Sequence, residues 1–170
     1  MKRIALLAIL TTIAACGSSS PTNPTNGPIV FTAALSAANE VPPVTNADAN
    51  GRGTATITLT APRDSSGAIT GSGTMNFSVQ LSGFPAGTEV RLAHIHPGAA
   101  GVPGPALINT GLTPATAITL ADGSGTLNFT NVDVSQVNAQ AIVSNPAGYY
   151  FNVHTAANQG GAVRGQLVRQ

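Results

Sequence analysis

Three histidines are the side chains of this sequence best suited to chemistry, and all three lie in apolar segments. One residue separates His94 from His96, and His154 follows an aromatic segment at residues 149–151. Alternate residues of an extended strand share a face, so the first two imidazoles could bind one ion, with His154 as a third ligand. Three neutral imidazoles without a thiolate or carboxylate suit zinc or copper, and they leave one coordination position for water.

The alternation of apolar residues around the histidines leaves two interpretations open. Across residues 89–96, strict alternation places the first two histidines on the face of Val90 and Leu92, which is the predicted core face. Across residues 149–154, the third histidine alternates away from the apolar residues. A β-bulge or a strand end would bring the three together. Without one, the first two histidines hydrogen-bond to loop backbone and have a structural role only.

A loop of three glycines and three prolines follows the first two histidines, at residues 97–105. Such a composition excludes a helix or a central strand. The loop could approach a ligand closely, or it could be a tight crossover between sheets. Because it lacks the strand–loop–helix context of a phosphate-binding loop, we expect no nucleotide ligand.

Two isolated charges, Glu40 and Arg164, lie near opposite ends of the sequence. We predict that they pair and close the first strand against the last. The alternative is that they are independent surface charges. In either case their role is in stability.

The sequence offers no other catalytic constellation. No serine lies in a Gly-x-Ser-x-Gly elbow. Four aspartates fall in predicted turns, where capping explains them better than acid–base catalysis: Asp48, Asp64, Asp122 and Asp133. Charged residues make up 8% of the 170 residues, and the formal net charge is +1. Because the sequence has no basic patch, we expect no nucleic-acid partner. Because it has no catalytic constellation, we expect no enzyme activity.

Apolar residues alternate with threonine, serine or asparagine in several short segments. The clearest runs from Met75 to Leu81, and similar patterns surround Phe31, Ile57 and Phe129. Turn sequences rich in glycine, asparagine and aspartate separate these segments. The sequence therefore predicts an all-β domain of antiparallel strands, folded as a sandwich or barrel. The one predicted helix covers residues 134–143, with Ser135 as its cap.

The N-terminal residues predict a secreted, lipid-anchored protein. Lys2 and Arg3 precede an apolar stretch at residues 4–13 that is too short to span a bilayer. The segment ends at Cys16, the only cysteine, in a sequence that resembles the lipobox of bacterial lipoproteins. We therefore predict a signal peptide at residues 1–15 and a lipidated Cys16 with a flexible tether at residues 16–28. The alternative is an ordinary signal peptide with an incidental cysteine.

Five motifs then resemble, in order, those of the CHRD domain family, which includes domains of chordin and of many microbial secreted proteins. They are Asn-Glu-Val-Pro-Pro at 39–43, His-Ile-His-Pro-Gly at 94–98, the glycine- and proline-rich stretch at 101–105, Tyr-Phe-Asn-Val-His-Thr at 150–155, and Gly-Ala-Val-Arg-Gly-Gln-Leu at 161–167. The resemblance covers residues 30–168. It implies a domain at residues 29–170 with an immunoglobulin-like β-barrel, loosely similar to copper–zinc superoxide dismutases. One departure is Ala162, which stands where the family often has an acidic residue, so a polar contact near Arg164 is weakened.

We expect the protein to lie in the cell envelope, anchored to a membrane by its N-terminal lipid; in a Gram-negative cell this is the outer membrane. Three hypotheses for its function remain. The first is a non-enzymatic module that recognises an envelope or extracellular protein, with structural histidines. The second is zinc or copper binding at His94, His96 and His154. The third is a metal-dependent redox enzyme, which the small number of histidines and the lack of a cysteine pair disfavour.

Overall fold

Period-two alternation of apolar residues produces the strands of this protein. The computed structural model describes residues 27–170. The strands there are β1 Ile29–Ser36, β2 Arg52–Thr60, β3 Gly73–Ser82, β4 Thr88–Pro97, β5 Ile108–Asn109, β6 Ile118–Leu120, β7 Gly125–Val134, β8 Tyr149–Thr155, β9 Val163–Gln166 and β10 Val168–Arg169. The predicted signal peptide, Cys16 and nearly all of the predicted tether lie outside the described residues.

The strands form a single antiparallel sheet that curls into a nearly closed barrel. Their order is β5-β4-β8-β9-β1-β2-β3-β7, with β6 added to β4 and β10 added to β1. Neighbouring strands pair in antiparallel fashion throughout this order. The predicted all-β fold with at most one short helix is confirmed. In this arrangement β4 and β8, which carry the histidines, are direct neighbours.

The core is formed by every second residue of the long strands. On β3, for example, Met75, Phe77, Val79 and Leu81 are at most 3% exposed. Their neighbours in the sequence lie on the opposite face, which is partly exposed. Burial of each large apolar side chain contributes about 1.5–3 kcal/mol, so the alternation fixes both the face and the register of each strand.

The single helix in the described part of the chain, α1, covers Gln136–Ser144. The hydroxyl of Ser135 accepts a hydrogen bond from the Asn138 backbone N–H, which confirms the predicted cap. The side-chain amide of Gln140 donates to the Ile69 carbonyl at 2.8 Å and so ties the helix to the sheet. No helix in residues 27–170 is long and apolar enough to cross a bilayer.

The predicted roles of the aspartates are only partly correct. Asp64 and Asp122 accept hydrogen bonds from their own turns, and these bonds lower the pKa of both carboxyls. Asp133, in contrast, lies within β7 and not in a turn. Asp48 lies in a short 3-10 turn but is 2% exposed, and it accepts hydrogen bonds from distant residues. Its carboxylate therefore links two segments of the fold.

Candidate metal site

A β-bulge in β4 decides which way the histidines point. The pairing of β4 with β8 shifts register between Val90 and Leu92, so the alternation restarts after the bulge. Beyond it, Ala93 and Ile95 face the core with 0% exposure. The prediction that the first two histidines share the core face with Val90 and Leu92 is therefore wrong. Val90 faces the core, while Leu92, His94 and His96 lie on the opposite face.

The same register brings all three histidines to one face of the sheet. Leu92 lies opposite His154, His94 opposite Asn152, and His96 opposite Tyr150. Directly opposed residues of antiparallel strands project from the same face. The bulge thus resolves the two interpretations that the sequence left open, because it turns His94 and His96 to the side of His154.

The ring nitrogens of the three histidines converge. One nitrogen from each ring lies within 4.8 Å of the others. His94 Nδ1 is 3.2 Å from His154 Nε2. Nitrogens bound at about 2.0–2.1 Å to one tetrahedral ion lie about 3.4 Å apart, so the closest pair already has the spacing of two ligands. A small movement of His96 would complete a three-nitrogen site.

Backbone carbonyls orient two of the rings from outside the cluster. The Nδ1–H group of His154 donates to the Gln159 carbonyl at 2.8 Å, and that of His96 donates to the Gly104 carbonyl at 3.0 Å. A neutral imidazole that donates through Nδ1 has a lone pair at Nε2. The two Nε2 lone pairs are therefore the ones that could bind a metal, and an outer contact of this kind is the usual way in which proteins fix a ligating histidine.

One of these lone pairs has no hydrogen-bond partner. His96 Nε2 is buried and accepts no hydrogen bond from the described residues. Leaving a buried acceptor unsatisfied costs about 1–3 kcal/mol, so native proteins rarely tolerate it without a reason. His154 Nε2, by comparison, accepts the Nδ1–H of His94. A metal ion at the three histidines would satisfy the first nitrogen, and His94 would then carry its proton at Nε2 and bind through Nδ1.

Burial keeps the three imidazoles neutral. It lowers the pKa of His94 to about 4, with a smaller contribution from the neighbouring His154 and His96. Burial also lowers the pKa of His96 and of His154. At pH 7 the cluster therefore carries no proton that a metal ion would have to displace from a charged ring.

Beside the histidines, Glu40, Asn152 and Arg164 form a second buried polar cluster. The Asn152 side-chain amide donates to both carboxylate oxygens of Glu40, at 3.0 and 3.3 Å. Arg164 Nε donates to the Asn39 carbonyl at 2.6 Å. No direct ion pair joins Glu40 to Arg164; the ion pair within residues 27–170 is Arg91–Glu89 at 2.8 Å.

The charge of Arg164 nevertheless acts on Glu40 through space. Burial raises the pKa of the Glu40 carboxyl to about 7, and the positive charge of Arg164 opposes this increase. Asn152 hydrogen-bonds Glu40 and is the cross-strand partner of Arg164. Glu40 and Arg164 thus belong to one polar cluster. Asn152 is a third member, which the sequence did not predict.

Tyr150 connects the two polar clusters. Its ring stacks on the His96 ring with 4.9 Å between centroids and 4° between planes. The Arg164 guanidinium carbon lies 4.5 Å from the centroid of the same tyrosine ring. The Tyr150 hydroxyl accepts a hydrogen bond from the Gly104 N–H at 3.1 Å. Arg164, Tyr150 and His96 therefore form a continuous stack that supports the His96 ring.

The glycine- and proline-rich loop at residues 97–105 covers this polar face. Its carbonyls accept hydrogen bonds from His96, Arg164 and, at Gly98, from the Gln166 side chain at 2.9 Å. A Cβ atom at Gly104 would collide with the Pro97 carbonyl oxygen, so the loop needs glycine there. The loop therefore lies over His96 and Arg164 and is fixed to them by hydrogen bonds.

Comparison with known families agrees with the motifs. A profile of the CHRD domain matches residues 31–167. The chain belongs to the CHRD domain family. No curated protein and no solved structure matches it significantly. The CHRD motifs contribute Glu40, the histidines, the covering loop, Asn152 and Arg164, and all of these meet at one polar face. Ala162, the departure from the family pattern, is 0% exposed, and its N–H donates to the Val153 carbonyl.

The sequence analysis did not predict the polar partners of the histidines, although the alternation of residues along β8 indicated them. Tyr150 and Asn152 alternate with the core residues of β8 and share the face of His154. Asp48 was expected to cap a turn, but it accepts hydrogen bonds from the Thr155 hydroxyl at 2.7 Å and from the Asn158 amide at 2.6 Å. It thereby holds the segment that follows His154.

Proposed function

We propose that this CHRD domain is a non-enzymatic binding module that holds one zinc or copper ion at His94, His96 and His154. The observation that carries the proposal is the convergence of three histidine ring nitrogens at a point where His96 Nε2 is buried and has no partner among residues 27–170. Neutral imidazole is a preferred ligand of both metals. Membership of the CHRD family suggests a binding module.

Binding of a protein partner through the surface is the competing hypothesis, with histidines that serve only the fold. A large contiguous exposed apolar patch would mark such a surface. The large apolar side chains exposed among the described residues are four valines from separate segments, namely Val41, Val102, Val137 and Val168. The histidine cluster therefore gives the more specific indication of a ligand.

The decisive experiment is the metal content and the metal affinity of the purified protein. We expect one zinc or copper ion per chain, and an affinity at least about 100-fold lower in His94→Ala and His154→Ala, because each removes a direct ligand. Asn128→Ala is a suitable control, since Asn128 is an exposed residue of β7. Absence of bound metal in the natural protein, with histidine variants that are merely less stable, would leave the histidines a structural role.

We further propose that the domain acts in a bacterial cell envelope, anchored through acyl chains on Cys16. The support is the order of a basic start, a short apolar stretch and the lipobox-like Ile13-Ala14-Ala15-Cys16. Acyl chains on one residue bind a membrane without a spanning segment. Replacement of Cys16 by serine should move the protein from the membrane fraction to the soluble fraction. Unchanged membrane association in fractionated cells would contradict lipidation.

A further inference from the structure

Arg164 is a buried cation that forms no ion pair with the described residues. Its side chain is 2% exposed. Nε donates to the Asn39 carbonyl at 2.6 Å, and Nη1 donates to the Val102 carbonyl at 3.4 Å. Nη2 is buried and has no acceptor within residues 27–170. A buried donor without an acceptor destabilises a fold, so a ligand that accepts from Nη2 would stabilise this one.

Arg164 lines a cleft of about 410 Å³. The lining includes Asn39, which accepts from Nε, and Ala100 and Gly101, which precede the Val102 carbonyl that accepts from Nη1. In a guanidinium group, Nη2 shares one edge with Nε and another with Nη1. Nη2 therefore lies between two segments that both line the cleft. The volume is within the range of sites for small organic ligands.

Glu40 lines the same cleft and is 5% exposed. The Asn152 amide holds its carboxyl group. Glu40 and Arg164 form no direct ion pair, although the charge of Arg164 acts on the Glu40 carboxyl. Burial raises the pKa of Glu40 to about 7, so near neutral pH this carboxyl can carry a proton and donate it in a hydrogen bond. The cleft thus presents a cation and a carboxyl group that are close but not joined.

The chemistry of the lining favours a carboxylate with an apolar body. A guanidinium group matches the two oxygens of a carboxylate and binds them more strongly than a neutral acceptor. A neutral acceptor would satisfy Nη2 but would leave the buried charge of Arg164 without a counter-ion. The lining also contains small apolar side chains, namely Ala38, Val41, Pro43 and Ala100. These could contact the apolar part of a ligand.

We propose that this cleft binds a small organic monocarboxylate, whose carboxylate group accepts hydrogen bonds from Arg164 beside Glu40 and whose apolar body lies against Val41 and Pro43. Binding forms no covalent bond and involves no metal, so the inference is independent of the proposed metal-binding function. It also assigns a ligand to two CHRD motifs that supply no metal-binding histidine, those at residues 39–43 and 161–167.

The first test is titration of the purified protein with benzoate, followed by calorimetry and by amide NMR spectra. We expect saturable binding of one benzoate per chain, with shifts of the Gly101 and Gly165 amide signals, because both residues line the cleft. Benzamide has the same shape without the charge, and it should bind about 10-fold more weakly. Equal affinity for benzamide would overturn the carboxylate as the ligand class, and absence of saturable benzoate binding would overturn the proposal.

Variants of the polar side chains test their roles in the cleft. Arg164→Gln should weaken benzoate binding about 10- to 100-fold, the range for loss of a hydrogen bond from a charged group. Glu40→Gln should bind benzoate more tightly, because it removes a negative charge beside the ligand and its side-chain oxygen can still accept from Asn152. Unchanged affinity in Arg164→Gln would overturn the role of the guanidinium group.

A matched pair of loop variants tests the location without altering Arg164, which also supports the fold. Ala100→Leu enlarges an exposed side chain that lines the cleft, so it should abolish benzoate binding. Ala99→Leu makes the same change at the preceding exposed residue, which is not part of the lining, and should leave the affinity unchanged. Benzoate affinity that is equal in both variants would overturn this cleft as the binding site.

Discussion

The two faces of the β4–β8 strand pair share one backbone register and have opposite chemistry. One face carries four apolar side chains with 0% exposure: Ala93, Ile95, Phe151 and Val153. The other carries the three histidines with Tyr150 and Asn152, beneath the loop at residues 97–105. Both faces are buried, so the difference between them lies in hydrogen bonding and not in access to water.

The two faces differ in whether their buried polar atoms have hydrogen-bond partners. The four apolar side chains have no polar group to satisfy. On the other side of the sheet, three buried polar atoms have no partner among the described residues: His96 Nε2, Asn152 Oδ1 and Arg164 Nη2. A fold selected for stability alone would avoid such atoms, and they are expected where a ligand is bound. The apolar face thus stabilises the sheet, and the polar face carries the candidate binding site.

The largest effect should follow a cavity on the apolar face. Ile95→Ala removes a fully buried side chain from β4, one residue from each of two histidines. We expect the free energy of unfolding to fall by about 2–5 kcal/mol. Denaturation by urea, followed by circular dichroism, measures it. A loss below about 1 kcal/mol would show that this face is not the stabilising one.

A smaller but still large effect should follow removal of Arg164. Arg164→Ala eliminates the hydrogen bond to the Asn39 carbonyl and the contact with the Tyr150 ring. We expect a loss of about 1.5–3 kcal/mol, the range for hydrogen bonds of charged groups. Metal affinity should also decrease, because Tyr150 supports His96. Arg164→Lys is the matched control: it keeps the charge but not the planar stack, so it should restore stability only in part. Full restoration by lysine would contradict the stacking role.

The pH dependence of stability should identify Glu40 as a buried carboxyl. Burial raises its pKa from 4.5 to about 7, so the folded protein binds this proton more tightly than the unfolded chain. The resulting stabilisation is complete below about pH 4.5 and is lost as the pH rises through about 7. Glu40→Gln should remove this decrease, by about 1 kcal/mol or more between pH 5 and pH 8. Urea denaturation at both pH values tests it, and an equal slope in protein and variant would contradict a raised pKa.

The strands could be predicted from the sequence because their apolar residues repeat with period two over long stretches. Met75, Phe77 and Val79 follow this rule without interruption, and the structure buries all three. The helix could be predicted as well, since Ser135 has the side chain of a cap at the right place. Local patterns were sufficient for these elements because the same residues that define them also form the core.

The polar face could not be predicted to the same extent. One extra residue near Arg91 reverses the direction of every later side chain of β4, and nothing in the local sequence indicates where a bulge falls. Asn152 hydrogen-bonds Glu40, and only the register of β8 and β9 brings it beside Arg164. Such long-range relations follow from the complete sheet, so the sequence predicted the three histidines, Glu40 and Arg164, but neither their polar partners nor the contacts between them.

The smallest effect on stability should come from His96, the neighbour of Ile95 on the opposite face. In the metal-free protein, His96→Ala loses the hydrogen bond to the Gly104 carbonyl, worth about 0.5–1.5 kcal/mol. It also removes the unpartnered Nε2, whose burial costs about 1–3 kcal/mol. These terms oppose each other, so we expect a change below about 1 kcal/mol in urea denaturation, together with loss of metal binding. A loss as large as that of Ile95→Ala would make His96 a structural residue, and the two faces would then differ in chemistry but not in role.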